Sequence, residues 1–130
     1  MKEKNQTKKK PKKKNLRETG GSYEKAAGAY LTGCGYRILQ YNFRCRYAEI
    51  DIIALDGETL VFCEVKYRTG ADTCYALEAV DAHKQRRISQ AALFYLARHG
   101  GTDRACRFDV VGITDRDITL VRHAFDYTGV

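Results

Sequence analysis

The stretch Leu60 to Lys66 restricts the fold more than any other part of the chain. Leu60, Val61, Phe62, Cys63 and Val65 put apolar side chains on both faces of an extended segment that also carries Glu64 and Lys66. Side chains alternate between the faces of a strand, so a strand that is apolar on both sides has to be covered on both. This calls for a sheet between packed layers, where charged residues are costly unless paired. The preceding segment, Ala48 to Leu55, reads as the partner strand, and the Asp56-Gly57 between the two is a strong hairpin signal.

The flanking segments extend the pattern. Ser22 is a candidate N-cap for a helix from Tyr23 to about Gly33, with Ala26, Ala27, Tyr30 and Leu31 on its packing stripe and Gly33 and Gly35 at its end. Tyr36 to Arg46 suits a first strand, with Ile38, Gln40, Asn42 and Arg44 on one face and Leu39, Tyr41 and Phe43 on the other. The third strand is expected over Leu60 to Arg68. From Glu78 to His99 the period becomes helical, with Val80, Lys84, Ile88, Ala91, Ala92 and Tyr95 along one side and Gly100-Gly101 as the stop. Arg107 to Ile113 and Ile118 to His123 read as two more strands around a turn at Thr114 to Asp117. The order helix, three strands, helix, two strands predicts an α/β domain over residues 20–130 with a mixed sheet. Its third and fourth strands should be parallel, because a crossover helix joins them.

The 130-residue chain has a formal net charge of +7, unevenly spread. Met1 to Arg17 holds nine Lys or Arg and one acid, a local +8, which leaves fourteen basic and fifteen acidic residues, net −1, for the rest. Residues 1–19 are therefore expected to be a disordered basic tail drawn to polyanions by counterion release, or a solubilising extension without a specific partner. The tail lacks the apolar stretch of a secretory signal and no run is long enough to span a membrane, so a cytoplasmic location is expected. The five cysteines show no Cys-x-x-Cys spacing and the three histidines no paired spacing. Reduced, mostly buried thiols are expected, rather than disulfides or structural zinc.

Chemistry is concentrated in the hairpin. Period-two alternation puts Glu49 and Asp51 on one face of the second strand, and Glu64 and Lys66 on one face of the third. If Leu55 pairs with Leu60, Asp51 falls opposite Glu64 and Glu49 opposite Lys66. Two carboxylates facing each other across strands repel unless a positive charge lies between them, and a divalent cation is the natural occupant. The competing reading takes Glu64 and Lys66 as the wet side of an amphipathic strand; the apolar residues on both faces argue against it.

These residues carry a resemblance. Asp51 followed thirteen residues later by Glu64-Val65-Lys66 resembles the PD-(D/E)xK motif of metal-dependent nucleases, and Glu24 on the preceding helix resembles the additional helix acid of archaeal-type Holliday junction resolvases. Six blocks together resemble the YraN family: Glu24 to Ala27, Ala48 to Ala54, Val61 to Arg68, Glu78 to Val80, Lys84, and Arg107 to Val111. The resemblance implies a restriction-endonuclease-like fold. Two positions depart from the motifs: Ile50 stands where a proline would precede Asp51, and Ala48 replaces a glycine usual in the family.

On this basis the expected function is metal-dependent hydrolysis of phosphodiester bonds in nucleic acid, with DNA, branched or structured, as the expected partner. Asp51 and Glu64 are the expected Mg²⁺ (or Mn²⁺) ligands, and Lys66 the group that orients or deprotonates the attacking water. Glu24 would complete the metal shell through water, and Glu49 would be a supporting acid or a partner of Lys66. Arg68, Lys84, Arg86 and Arg87 are candidate phosphate contacts, and Tyr67 and Tyr75 candidate platforms for bases. Blander readings accompany these: Lys84 as a snorkelling core-stripe residue, Arg86 and Arg87 as a wet helix face, and Arg107 with Asp109 as an internal ion pair. His83, His99 and His123 read as surface or helix-terminal residues. Two alternatives to an enzyme are a non-catalytic nucleic-acid-binding module on a nuclease fold and a protein-interaction domain. Cutting two strands with one centre per chain would call for a homodimer.

Overall fold

The computed structural model describes residues 22–69, 80–101 and 103–128. Residues 1–21 and 70–79, and with them the basic tail, Cys74, Tyr75 and Glu78, lie outside the described part. The elements are α1 (Ser22–Gly33), β1 (Arg37–Arg44), β2 (Glu49–Asp56), β3 (Thr59–Tyr67), α2 (Ala82–Arg98), β4 (Cys106–Ile113) and β5 (Ile118–Phe125). The element order is the expected one. The five strands form one sheet in the order β1-β2-β3-β4-β5. β3 and β4 pair in parallel and the other neighbours are antiparallel, so the fold is a mixed α/β sheet compatible with a nuclease-like architecture.

Both faces of the sheet are covered, as β3 requires. Leu60 and Phe62 pack with Ile88, Ala91, Ala92 and Tyr95 of α2, while Val61 and Cys63 pack with Ala27 and Leu31 of α1. The β2–β3 turn is tight: Asp56 pairs with Thr59, which leaves Gly57-Glu58 at the tip with Gly57 at φ 64°. The α1 helix ends in a Schellman motif. The Tyr36 N–H donates to the Leu31 carbonyl and the Gly35 N–H to that of Thr32, with Gly35 at φ 99°, so Gly35 is the residue that stops the helix.

Several local expectations are corrected. The α2 helix starts at Ala82 rather than Glu78, because Asp81 is extended and caps it, its carboxylate accepting the Lys84 N–H at 2.9 Å. The α1 stripe runs through Ala27, Gly28 and Leu31, leaving Tyr30 exposed. Gly28 lets this helix approach the sheet closely, for a Cβ there would fall 2.0 Å from the Tyr41 hydroxyl oxygen. In β1 the alternation fails: a register shift around Leu39 puts Ile38 and Tyr41 together under α1, while Phe43 joins the α2 layer. The thiols are not mostly buried either: Cys63 is, whereas Cys34 and Cys106 are exposed and Cys45 is intermediate.

Candidate metal centre

Leu55 pairs with Leu60, and the β2–β3 ladder runs from Asp56/Thr59 to Ile52/Cys63. The next position brings Asp51 beside Glu64, and here a side chain replaces the ladder: the Val65 N–H donates to Asp51 Oδ2 at 2.8 Å. On the other side of β2, Asn42 lies between the Tyr41/Ile52 and Phe43/Ile50 pairs with φ 55°. The two strands change face together at this point. Tyr41 and Ile52 pack under α1, yet Phe43 and Ile50, two residues away in each strand, pack under α2. Asp51 thus sits at an irregularity of the central sheet, where its carboxylate satisfies a backbone donor that regular pairing would otherwise serve.

Glu49, Asp51 and Glu64 line a depression of about 290 Å³ together with Ala48 and with His83, Lys84 and Arg87 from the first turns of α2. Burial first, then the Glu64 carboxylate, with Glu24 and Glu49 adding to them, together push the Asp51 carboxyl up to about 7, against the stabilising Val65 N–H. Glu64 is buried at 5% exposure. Its Oε2 receives two ammonium groups, Lys84 Nζ at 2.8 Å and Lys66 Nζ at 3.2 Å. Burial and then the neighbouring Lys84 hold Lys66 below the usual lysine range, despite the pull of Glu64. For Lys84 burial opposes the charge more than any other single cause, but the hydrogen bond and attraction of Glu64, with Lys66 and Asp51 adding to them, together outweigh it and the pKa is raised.

The remaining expected site residues fall around this group. Glu24, in the first turn of α1, is half-buried and its Oε1 is enclosed without a hydrogen-bond partner. Glu49 is at the rim, 3.4 Å from Arg44 Nε. Arg68 is exposed, and its peptide N–H donates to the Ile113 carbonyl. Tyr67 is not beside the acids: its ring stacks on Tyr23 at 4.4 Å under α1, and its hydroxyl donates to Asp115. Arg86 is exposed, whereas Arg87 Nε donates to the Tyr47 carbonyl at 2.7 Å and ties α2 to the β1–β2 turn. Arg107 and Asp109 form the expected internal pair, at 2.9 Å. His83, exposed as expected, nevertheless lines the depression, which a surface reading of its sequence position misses; its one available signal was adjacency to Lys84.

Among the described residues, no group of three acidic, histidine or cysteine side chains is drawn together tightly enough to enclose a metal by itself. Magnesium does not need such a cage, since it keeps several waters and is commonly held by one or two carboxylates plus substrate phosphates. The donor set fits that mode. Asp51 and Glu64 offer hard oxygens, burial and then the Glu64 carboxylate keep Asp51 prone to protonation, and Glu24 has an enclosed oxygen without a hydrogen-bond partner.

Residues 23–113 match the model of the uncharacterised protein family UPF0102. The chain is 50% identical over 101 residues to the UPF0102 protein of Alcanivorax borkumensis, covering 77% of this chain and 81% of that one. It is 47% identical over 113 residues to that of Alkalilimnicola ehrlichii, covering 86% and 90%. With the UPF0102 protein of Lachnoclostridium phytofermentans it shares 43% over 116 residues, covering 88% and 98%. The matched span runs from α1 through β4 and so contains Glu24, Asp51, Glu64, Lys66 and Lys84: the chain belongs to the UPF0102, or YraN, family.

Proposed function

We propose that this chain is a divalent-metal-dependent endonuclease acting on DNA, branched or structured. The observation that carries the reading is the meeting of Asp51 and Glu64 on one face of the β2–β3 hairpin, at a break in the ladder, with Lys66 on the same oxygen of Glu64. A magnesium ion held by Asp51 and Glu64, with Glu24 acting through water, would supply charge neutralisation at the phosphate. The chain's own groups do the rest. Lys66, held below its usual pKa, passes more readily between ammonium and amine, which suits Nζ to take a proton from an attacking water or to steady charge on the phosphate oxygens. Lys84, His83 and Arg87 offer positive or hydrogen-bonding groups at the mouth of the depression, where a phosphate would approach. The described residues of a chain carry one such centre, so cutting both strands of a duplex would take two copies.

The test is cleavage of labelled branched, single-stranded and duplex DNA with Mg²⁺ or Mn²⁺ by the wild type, Glu64→Ala and Lys66→Ala. Cleavage by the wild type that falls at least ~100-fold in both variants is expected. One observation favours a second reading, a binding module that does not cut: two lysine ammonium groups meet the same oxygen of Glu64 and offset its charge by themselves. Equal DNA binding by all three proteins, with no cleavage by any, would establish the module and end the nuclease reading.

A further inference from the structure

Glu64 is a buried carboxylate whose single oxygen Oε2 is claimed by two ammonium groups, and these differ in how they are held. Lys66 lies two residues along the same strand and face, with a side chain 20% exposed. Lys84 comes from another element. Its backbone is anchored by the Asp81 cap, while its side chain is 39% exposed and reaches Glu64 from the open side of the depression. A lysine stem has four rotatable carbons and a strongly hydrated head, so an ammonium at a solvent boundary exchanges partners at small cost. Asp51 beside Glu64 makes a positive charge necessary there, and Lys84 is the one that supplies it at the shorter distance. A divalent cation on the same carboxylates would satisfy that need and repel the ammonium. Lys84 would then be released towards the mouth, beside His83 and Arg87.

Resting on the metal-dependent reading above, we propose that Lys84 is an exchangeable counter-ion: it neutralises Glu64 when no metal is bound, yields that carboxylate to the entering metal, and then binds a backbone phosphate of the nucleic acid. Metal and nucleic acid would therefore strengthen each other's binding through one side chain, with the same factor in both directions.

The experiment uses the full chain, Lys84→Met, Lys84→Gln and the charge-keeping Lys84→Arg. Mn²⁺ is titrated in the absence of nucleic acid, and binding of a labelled branched DNA oligonucleotide is measured with and without Ca²⁺. Expected is Mn²⁺ affinity about 5-fold or more tighter in the Met and Gln variants and near wild type in Lys84→Arg. Ca²⁺ should tighten DNA binding about 5-fold or more in the wild type and Lys84→Arg, with no gain in the other two. Lys84→Gln keeps a hydrogen-bond donor for Glu64 and guards against loss of the fold in Lys84→Met. Unchanged or weaker Mn²⁺ binding in the neutral variants, or a Ca²⁺ gain that survives in them, overturns the exchange while leaving the metal reading intact. A folded wild type that binds no Mn²⁺ at all overturns both.

Discussion

Asp51 combines an unfavourable environment with a position at the centre of the sheet. Its carboxyl is moved from 3.8 to about 7 by burial and then by the neighbouring Glu64. A raised pKa means that the folded chain holds this proton more tightly than the unfolded chain, so the contribution to stability is complete below pH 3.8 and is lost as the pH rises through about 7. Metal-free protein should therefore be held back at neutral and alkaline pH by its own site. Asp51→Asn keeps an acceptor for the Val65 N–H and removes the charge, and is expected to raise the melting temperature at pH 8 by roughly 5 °C, with no gain at pH 4. Added Mn²⁺ should stabilise the wild type and leave Asp51→Asn unmoved. Thermal melts across pH with and without the ion check all three outcomes; a variant less stable than wild type at pH 8 would contradict the account.

At the scale of an element, α1 reaches the sheet because Gly28 leaves room for the Tyr41 ring. Adding a methyl group there would put it 2.0 Å from the hydroxyl oxygen and 2.9 Å from the ring carbon that bears it. Gly28→Ala is expected to cost about 1–3 kcal/mol, and Tyr41→Phe to recover part of that loss in the double variant. Urea unfolding of the four proteins reads the coupling, and additivity would show that the contact does not limit the approach. Because the same helix carries Glu24 in its first turn, Gly28→Ala should also weaken Mn²⁺ binding. Helical periodicity identified α1 but misassigned Tyr30, since spacing fixes an angle around the axis and not which neighbour, Tyr41 here, occupies the facing space. The same reason explains α2: Ile88, Ala91, Ala92 and Tyr95 were readable from their period, whereas its start depended on Asp81 taking an extended conformation.

At the scale of the molecule, the sheet bears charged groups at two ends with opposite uses. Around the β2–β3 turn end, Asp109 has no exposure and is fully served: Tyr36 Oη donates at 2.6 Å, Arg107 Nε at 2.9 Å and the His123 N–H at 3.0 Å. Burial and then the bond to Asp109 push the Tyr36 hydroxyl up to about 12. Arg107 also reaches Asp56 at 2.8 Å, which links the turn end of β2 to β4. Removing one partner of such a pair strands the other, so Arg107→Met should cost about 3 kcal/mol in chemical unfolding while Mn²⁺ affinity stays within about 2-fold of wild type. A large change in metal binding would show that the two ends are not independent. At the open end, by contrast, the acids are unevenly served: Glu64 takes two ammonium groups on one oxygen, Asp51 accepts the Val65 N–H, and Glu24 has an enclosed oxygen without a partner.

Most of this arrangement follows from the chain's own pattern. Apolar residues on both faces of Leu60 to Val65 demand two layers, the hairpin signal sets Leu55 against Leu60, and that register alone brings Asp51 to Glu64. These are local consequences of alternation and turn chemistry, so the sequence by itself determined the element order, the β2–β3 hairpin and the central acid pair. Only the tertiary structure decided which cation meets Glu64, that Tyr67 is covered by Tyr23, and that β1 and β2 change face at Asn42 and Asp51. The physical reason is distance along the chain: Lys84 and Glu64 are twenty residues apart on different elements, and no periodicity within one element specifies how a second one docks against it.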